Sequence, residues 1–406
     1  MNTSSPRSGR LTVLRAAWLY DGVSPALTPD PVLLLVGGVI AAVGPPGGVP
    51  EGADVVDLGA ATLLPGLIDT HVHLAFDASA DPVGNLAGRD AAAALAAMAA
   101  AARRAARGGV TTVRDLGDRD YLTLALRRAA ASDHSLPTIV AAGPPITTPR
   151  GHCHYLGGTA AGVSGVTAAV RERAERGVDL VKIMASGGHL TPGSRPELPQ
   201  FTSEELRAAV VEAHRHGLPV TAHAHGVQAV ADAVAAGVDG LEHVSFMTAG
   251  GVDPAPDDLV KAIARSGIAL GITLGAVPVE GAGLPPAIAA AMPALMANAR
   301  RLHRAGARIV AGTDAGIAPI KPPDVLRWAV GELPGIGLTS AEALHAATRL
   351  AAEVCGLGER KGRLAPGYDA DILAVDGDPL RDLAALHRIR AVYVRGERLG
   401  AFREKR

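Results

Sequence analysis

Two histidines separated by a single residue, His71 and His73 in LLPGLIDTHVHL, close an apolar run whose Leu63, Leu64, Leu67 and Ile68 suit a strand buried on both faces. Side chains two apart on a strand point the same way, so both imidazoles face one space while Val72 faces the other. Two neutral imidazoles converging from one strand end can grip a metal ion. A lone H-x-H is more often a solvated loop histidine beside a hydrogen-bonded core one, so the pair carries weight only in company.

The elements that must position such groups are legible as an alternation of apolar runs and helical stretches. After GLIDTHVHL come the Ala-rich RDAAAALAAMAAAARRAAR, then GVTTVRDLG, TIVAAG, DLVKIMASGG, PVTAHAHG, DGLEHVSF, IALGITLG and RIVAGTDAG, with helical segments between them. Thr202 or Ser203 is expected to cap the helix TSEELRAAVVEAHRHG, with Glu204 and Glu205 in its first turn. Eight such units predict an α/β fold, a (β/α)8 TIM barrel over residues 65–361. An open doubly wound sheet would want an early phosphate-binding glycine turn, and the chain has neither GxGxxG nor GKS/GKT. Residues 1–64 and 362–406 read instead as short strands split by turns, which predicts a small β-sandwich domain built from both termini.

In a barrel of this kind the reactive groups sit at the C-terminal ends of strands. Those ends carry His71 and His73 on the first, Lys182 on the fourth, His223 on the fifth, His243 on the sixth and Asp314 on the eighth. Singly, Lys182 could snorkel to solvent, His243 could be a core histidine and Asp314 a helix cap. Filled strand ends in that number, facing one mouth, point to a metal site.

In that order, GLIDTHVHL, VKIMASGG, TAHAHG, LEHV and AGTDAG resemble the binuclear site of the amidohydrolase superfamily. GVTTVRD and GRLAPGYDADILAVDGDPL bring the chain nearer to its imidazolonepropionase-like and prolidase-like (Xaa-Pro dipeptidase-like) branch. The resemblance implies two divalent ions, with zinc the first expectation and Mn, Co or Fe compatible with similar ligands. It implies that His71, His73 and Asp314 hold the more buried ion, that His223 and His243 hold the more exposed one, and that Lys182, carboxylated by CO2, bridges them. It further implies hydrolysis of an amide-type C–N bond in a dipeptide, an N-acyl amino acid or a cyclic amide, with Asp314 as general base and acid. An esterase or lactonase would use the same site, a deaminase is disfavoured by Lys182, and a non-catalytic scaffold is disfavoured because every ligand position is filled.

The branch carries a Gly-Gly-His element after strand three, which Gly151 and His152 match while Arg150 replaces a glycine. His152 is therefore the first candidate for substrate binding, followed by His154, Tyr155 and Arg150. In the Pro-rich HLTPGSRPELPQF, His189 and Arg195 are within reach of the mouth, and Arg195 would suit a carboxylate. His225, His214, His216 and His303 read as residues behind the ligands or on the surface. Cys153 has no neighbouring base and is not read as a nucleophile.

Composition narrows the partners. The 406 residues carry a net charge of −1 and a pI near 6.9, which gives no electrostatic footprint for nucleic acid. Aromatic residues make up only 3%, so an interface built on aromatic anchors is not expected. Two cysteines exclude a disulfide framework and fit a reducing cytoplasm. The polar start MNTSSPRSGR lacks a signal-peptide core, and PVLLLVGGVIAAVG is too short to span a bilayer. The expected partner is a small-molecule substrate, with no membrane or nucleic acid, and assemblies in the resembled family make a homo-oligomer the expected state.

Overall fold

A computed structural model describes residues 11–44 and 50–400. The polar start at residues 1–10, with the reading of a missing signal segment, and residues 401–406 at the end of the expected composite domain lie outside the described residues.

The apolar runs form eight parallel strands: β1 (Leu67–Val72), β2 (Val110–Asp115), β3 (Thr138–Ala141), β4 (Val181–Met184), β5 (Val220–Gly226), β6 (Gly240–Thr248), β7 (Ala269–Thr273) and β8 (Arg308–Gly312). They pair in two arcs, β3-β2-β1 and β4-β5-β6-β7-β8. Backbone hydrogen bonds bridge both seams: Ile146 N–H donates to Lys182 O at 2.8 Å, and Asp314 N–H donates to His71 O at 2.8 Å. Almost every strand residue is buried, which is why the strands read as continuous rather than alternating apolar runs.

Helices separate the strands: α1 (Ala91–Arg107), α2 (Leu122–Ala130), α3 (Gly162–Arg176), α4 (Ser203–Arg215), α5 (Val227–Ala236), α6 (Asp257–Ser266) and α7 (Pro286–Arg304), with α8 (Leu326–Glu332) after β8. Of the two expected caps for α4, Thr202 is the one used. Its hydroxyl accepts from Glu205 N–H while the Glu205 carboxylate accepts from Thr202 N–H, which satisfies two helix-end donors. In α1, Asp90 caps the start, and Ala94, Met98, Ala102 and Ala105 form the buried stripe.

The terminal segments make two further sheets. One, ordered 39–44, 32–36, 11–15, 54–57, is entirely N-terminal. The other places Ile372–Asp376 antiparallel to Ala61–Pro65, so strands from the two ends of the chain share one sheet. Leu14, Leu33, Ile40, Leu63, Ile372 and Tyr393 form a core of their own, distinct from the large one around the parallel strands. Among the described residues no helix is long and apolar enough to cross a membrane.

Candidate metal centre

The strand ends bring the expected histidines together. In one group the Nε2 atoms of His71 and His73 lie 3.4 and 3.2 Å from Asp314 Oδ1. In a second, His223, His225 and His243 each offer a nitrogen within 4.8 Å of the others. The ring centroids of His71 and His243 are 5.2 Å apart, so the two groups adjoin.

The outward ring nitrogens are also accounted for. His71 Nδ1 donates to Glu242 Oε2 at 2.9 Å, His73 Nδ1 to Gly117 O at 3.3 Å and His223 Nε2 to Gly187 O at 2.9 Å, while His243 Nδ1 is hydrogen-bonded to the Thr273 hydroxyl at 3.0 Å. An acceptor on one ring nitrogen leaves the lone pair on the other, the arrangement that prepares an imidazole to ligate a metal. Ligands about 2.0–2.1 Å from a tetrahedrally bound ion stand roughly 3.3–3.4 Å apart, which the separations around Asp314 match. The residues present therefore fit divalent ions.

Charge state agrees. Burial lowers His71 to about 4 and His225 to about 3, and drives His223 and His243 well below the ordinary histidine range, aided by their neighbours' charges. His73 alone is raised, because Asp314 outweighs burial. Burial acts to raise Asp314, but His71 and His73 hold its carboxyl well below the usual range. Lys182 is 1% exposed, its Nζ has no hydrogen-bond partner, and burial pulls it down to about 8 against Glu242 and Asp314. A buried, unpartnered ammonium is costly, whereas the neutral amine is the form that reacts with CO2 to give an anionic oxygen ligand.

Holding these groups strains the backbone. His243, Val244 and Phe246 on β6, and Asp314 just after β8, have φ of 73°, 48°, 54° and 61°, in the left-handed region that a β-branched valine rarely enters. Such conformations cost on the order of 1–3 kcal/mol each and persist only where surroundings over-determine them. Here Glu242 is gripped by Arg114 at 3.0 Å, Thr221 at 2.7 Å and His71. Arg114 Nε in turn donates to Thr70 O at 2.6 Å. Asp69 accepts from Thr313 N–H and Oγ1–H, and Asp115 accepts from Leu74 N–H and Gly117 N–H, so the loops after β1, β2 and β8 are tied to one another.

The candidate substrate residues divide. His152 lines the cavity, its ring 4.8 Å from that of His223 and its Nδ1 without a partner. Room for that ring depends on Gly188, where a Cβ would fall 2.4 Å from His152 Nε2. His154 bonds Gly151 O, and Tyr155 OH donates to Cys153 Sγ; neither lines the cavity. The Arg195 side chain is 58% exposed, paired with Glu197 and also outside the lining. Arg150, where the resembled branch has glycine, adopts φ 63° all the same, so the loop keeps a glycine-like backbone at some cost. His214, His216 and His303 are surface residues bonded to Asp239, Glu212 and Gly337 O.

His225, expected behind the ligands or on the surface, stands instead on the cavity wall. It is buried, stacks on His243 and has its Nδ1 hydrogen-bonded to Ser245 Oγ at 2.6 Å. The signal was present: TAHAHG repeats the same two-residue spacing that singled out His71 and His73. Glu242, adjacent to His243 in LEHV, was missed because its partners lie far away in sequence.

The family whose pattern the chain matches, described as the amidohydrolase family, covers residues 62–399, and the chain belongs to it. It is 33% identical over 241 residues to ochratoxinase of Aspergillus niger, an alignment covering 57% of this chain and 48% of that one; the chain thus spans about half the length of that relative. It is 29% identical to the imidazolonepropionase of Deinococcus deserti over 90% of this chain and 94% of the relative. The crystal structure of a Xaa-Pro dipeptidase with methionine bound in its active site superposes with a TM-score of 0.84 at 26% identity, covering 96% and 99% of the two chains. The chain has the mixed α/β fold of these neighbours.

Proposed function

We propose that this protein is a metal-dependent hydrolase of amide-type C–N bonds, in a dipeptide, an N-acyl amino acid or a cyclic amide. The observation that carries the reading is the hydrogen bonding of His71, His73 and His223, each with one nitrogen spent on an acceptor, and of His243 with the Thr273 hydroxyl, all four within groups of adjoining nitrogen and oxygen atoms. His71, His73 and Asp314 would hold one divalent ion, His223 and His243 a second, and a CO2-carboxylated Lys182 both, with zinc the expected metal. When bound, such ions lower the pKa of water and polarise the scissile carbonyl.

The chain's own groups do the rest. Asp314 is ionised at neutral pH and can take the proton of the attacking water; the departing nitrogen, more basic than the carboxylate, then receives it. His152, neutral, on the cavity wall and with its Nδ1 unpartnered, is placed to donate to the substrate oxygen. The hydrogen-bonded seams support reading the two arcs as one closed (β/α)8 barrel over 65–361. The sheet shared by both termini supports a β-sandwich of 1–64 with 362–406. The cysteines Cys153 and Cys355 are buried and unpaired, in keeping with a reducing cytoplasm, and we keep a homo-oligomer as the expected assembly.

The test is release of free amine from a library of dipeptides, N-acyl amino acids and cyclic amides by zinc-loaded protein, with Asp314→Asn as control. Wild type should cleave, and the variant should lose about 10²–10⁴ in kcat. Full loading with no amide cleaved would overturn the reading, and cleavage of esters or lactones alone would move it to that class.

A further inference from the structure

The cavity above the candidate metal centre has a volume of about 420 Å³ and two unlike halves. Its floor is the cluster of histidines with Lys182 and Asp314. Its far wall is apolar: Leu274 after β7, then Leu284, Ile288, Met292, Leu295 and Met296, from the loop leading into α7 and the first turns of that helix. All six are only half-buried, because the space beside them is cavity rather than protein. The proposed reaction uses none of them.

The charges around this annex decide what it can hold. Among the described residues the cavity lining includes three Asp, Glu, Lys or Arg side chains: Lys182 and Asp314 on the floor, and Lys321. Lys321 offers nothing to a ligand, since its Nζ donates to Thr273 O at 2.9 Å, Leu274 O at 3.0 Å and Thr313 O at 2.9 Å, which uses all three of its donors. Among the described residues no arginine lines the cavity, and Arg195 is paired with Glu197 outside it. An anionic or cationic substituent placed in the annex would lose its hydration and meet no counter-charge. An apolar substituent would gain by leaving water, and flexible methionines adapt to its shape.

We infer that the annex is a subsite for a bulky uncharged apolar group, aryl or branched to medium-chain alkyl, attached beside the scissile bond. The assignment rests on the hydrolase reading for the position of that bond. The preferred substrates are then neutral apolar amides, and small zwitterionic dipeptides are poor ones.

Two measurements on the zinc-loaded protein separate this inference from the reading beneath it. Phenyl alkyl ketones from acetophenone to octanophenone are neutral analogues of acyl anilides that cannot be hydrolysed, and calorimetry gives their Kd. Affinity should rise about fourfold per methylene until the annex is full. Met292→Asp should weaken the longer ketones at least tenfold, while Met292→Leu stays within about twofold of wild type. The matching acyl anilides, assayed by aniline release, should follow the same order in kcat/KM and exceed glycyl-proline by about 100-fold or more. A Kd flat along the series, Met292→Asp without effect, or glycyl-proline preferred to every anilide overturns the subsite. Ketone binding that follows the series with no amide cleaved leaves the subsite standing and overturns the hydrolase reading instead.

Discussion

Replacing Glu242 with glutamine changes one atom and tests how the centre is held. In the native arrangement Oε1 accepts from Arg114 and Thr221, and Oε2 accepts from His71 Nδ1. A glutamine has one acceptor and one donor end. If its oxygen keeps Arg114 and Thr221, its NH2 faces His71 Nδ1, and two donors meet unless the imidazole moves its proton to Nε2, the nitrogen beside Asp314. If its oxygen faces His71, the NH2 faces the Arg114 guanidinium. Rotation cannot repair both sides, because Gly271 backs the group so closely that a Cβ there would lie 1.9 Å from Oε2.

Loss of such an outer partner weakens metal binding by about 10–100-fold, or roughly 1.4–2.7 kcal/mol. The carboxylate is strongly held in place: burial opposes its ionisation, yet His71 and Arg114 bring it down to about 2. Leaving Arg114 buried without its anion adds a cost to folding on the order of 3–5 kcal/mol. The assay is zinc competition against a chelator of known affinity, run beside urea unfolding of the metal-free protein. Glu242→Gln with zinc affinity within twofold of wild type and an unchanged urea midpoint would refute the account of the site's support.

Further outcomes follow from neighbouring contacts. Gly271→Ala should imitate Glu242→Gln, lowering zinc affinity about tenfold and stability by about 1–3 kcal/mol, because the new methyl displaces the carboxylate; the same competition and unfolding assays read it. Lys182→Ala should cut bound zinc from two equivalents to one, with partial recovery in millimolar formate, and metal analysis showing two equivalents without formate would exclude a bridging carbamate. In Asp369, burial opposes ionisation but Lys361 and Arg360 outweigh it and hold the carboxyl below its ordinary value. The stability it contributes is therefore complete above about pH 4 and lost as pH falls through the lowered folded value. Urea midpoints between pH 5 and 3 should fall less steeply for Asp369→Asn than for wild type.

Much of this site was legible because it is built from local signals repeated in order. Strand ends announce themselves by where an apolar run stops, and the period of two says which residues look the same way, so His71, His73, Lys182, His223, His243 and Asp314 could be read without coordinates. The same period should have included His225. The cap of α4 was narrowed to Thr202 or Ser203, and only the geometry of the turn chose the threonine. Arg195 shows the opposite failure. Its residue type suits a carboxylate, but the direction of a loop side chain is set by its neighbours, and Glu197, two residues on, holds it outward.

The sequence by itself determined the alternation, the order of the candidate ligand residue types and the family they mark, because these depend on hydrophobic period and chemistry read along the chain. The tertiary structure decided what depends on distance across it. Glu242 clamps His71 from 171 residues away, and Asp69 and Thr313 join the ends of β1 and β8 across 244. It also decided the apolar annex lined by Leu274, Leu284, Ile288, Met292, Leu295 and Met296. What makes them a binding wall is space left unfilled beside them, and packing in three dimensions alone creates that space.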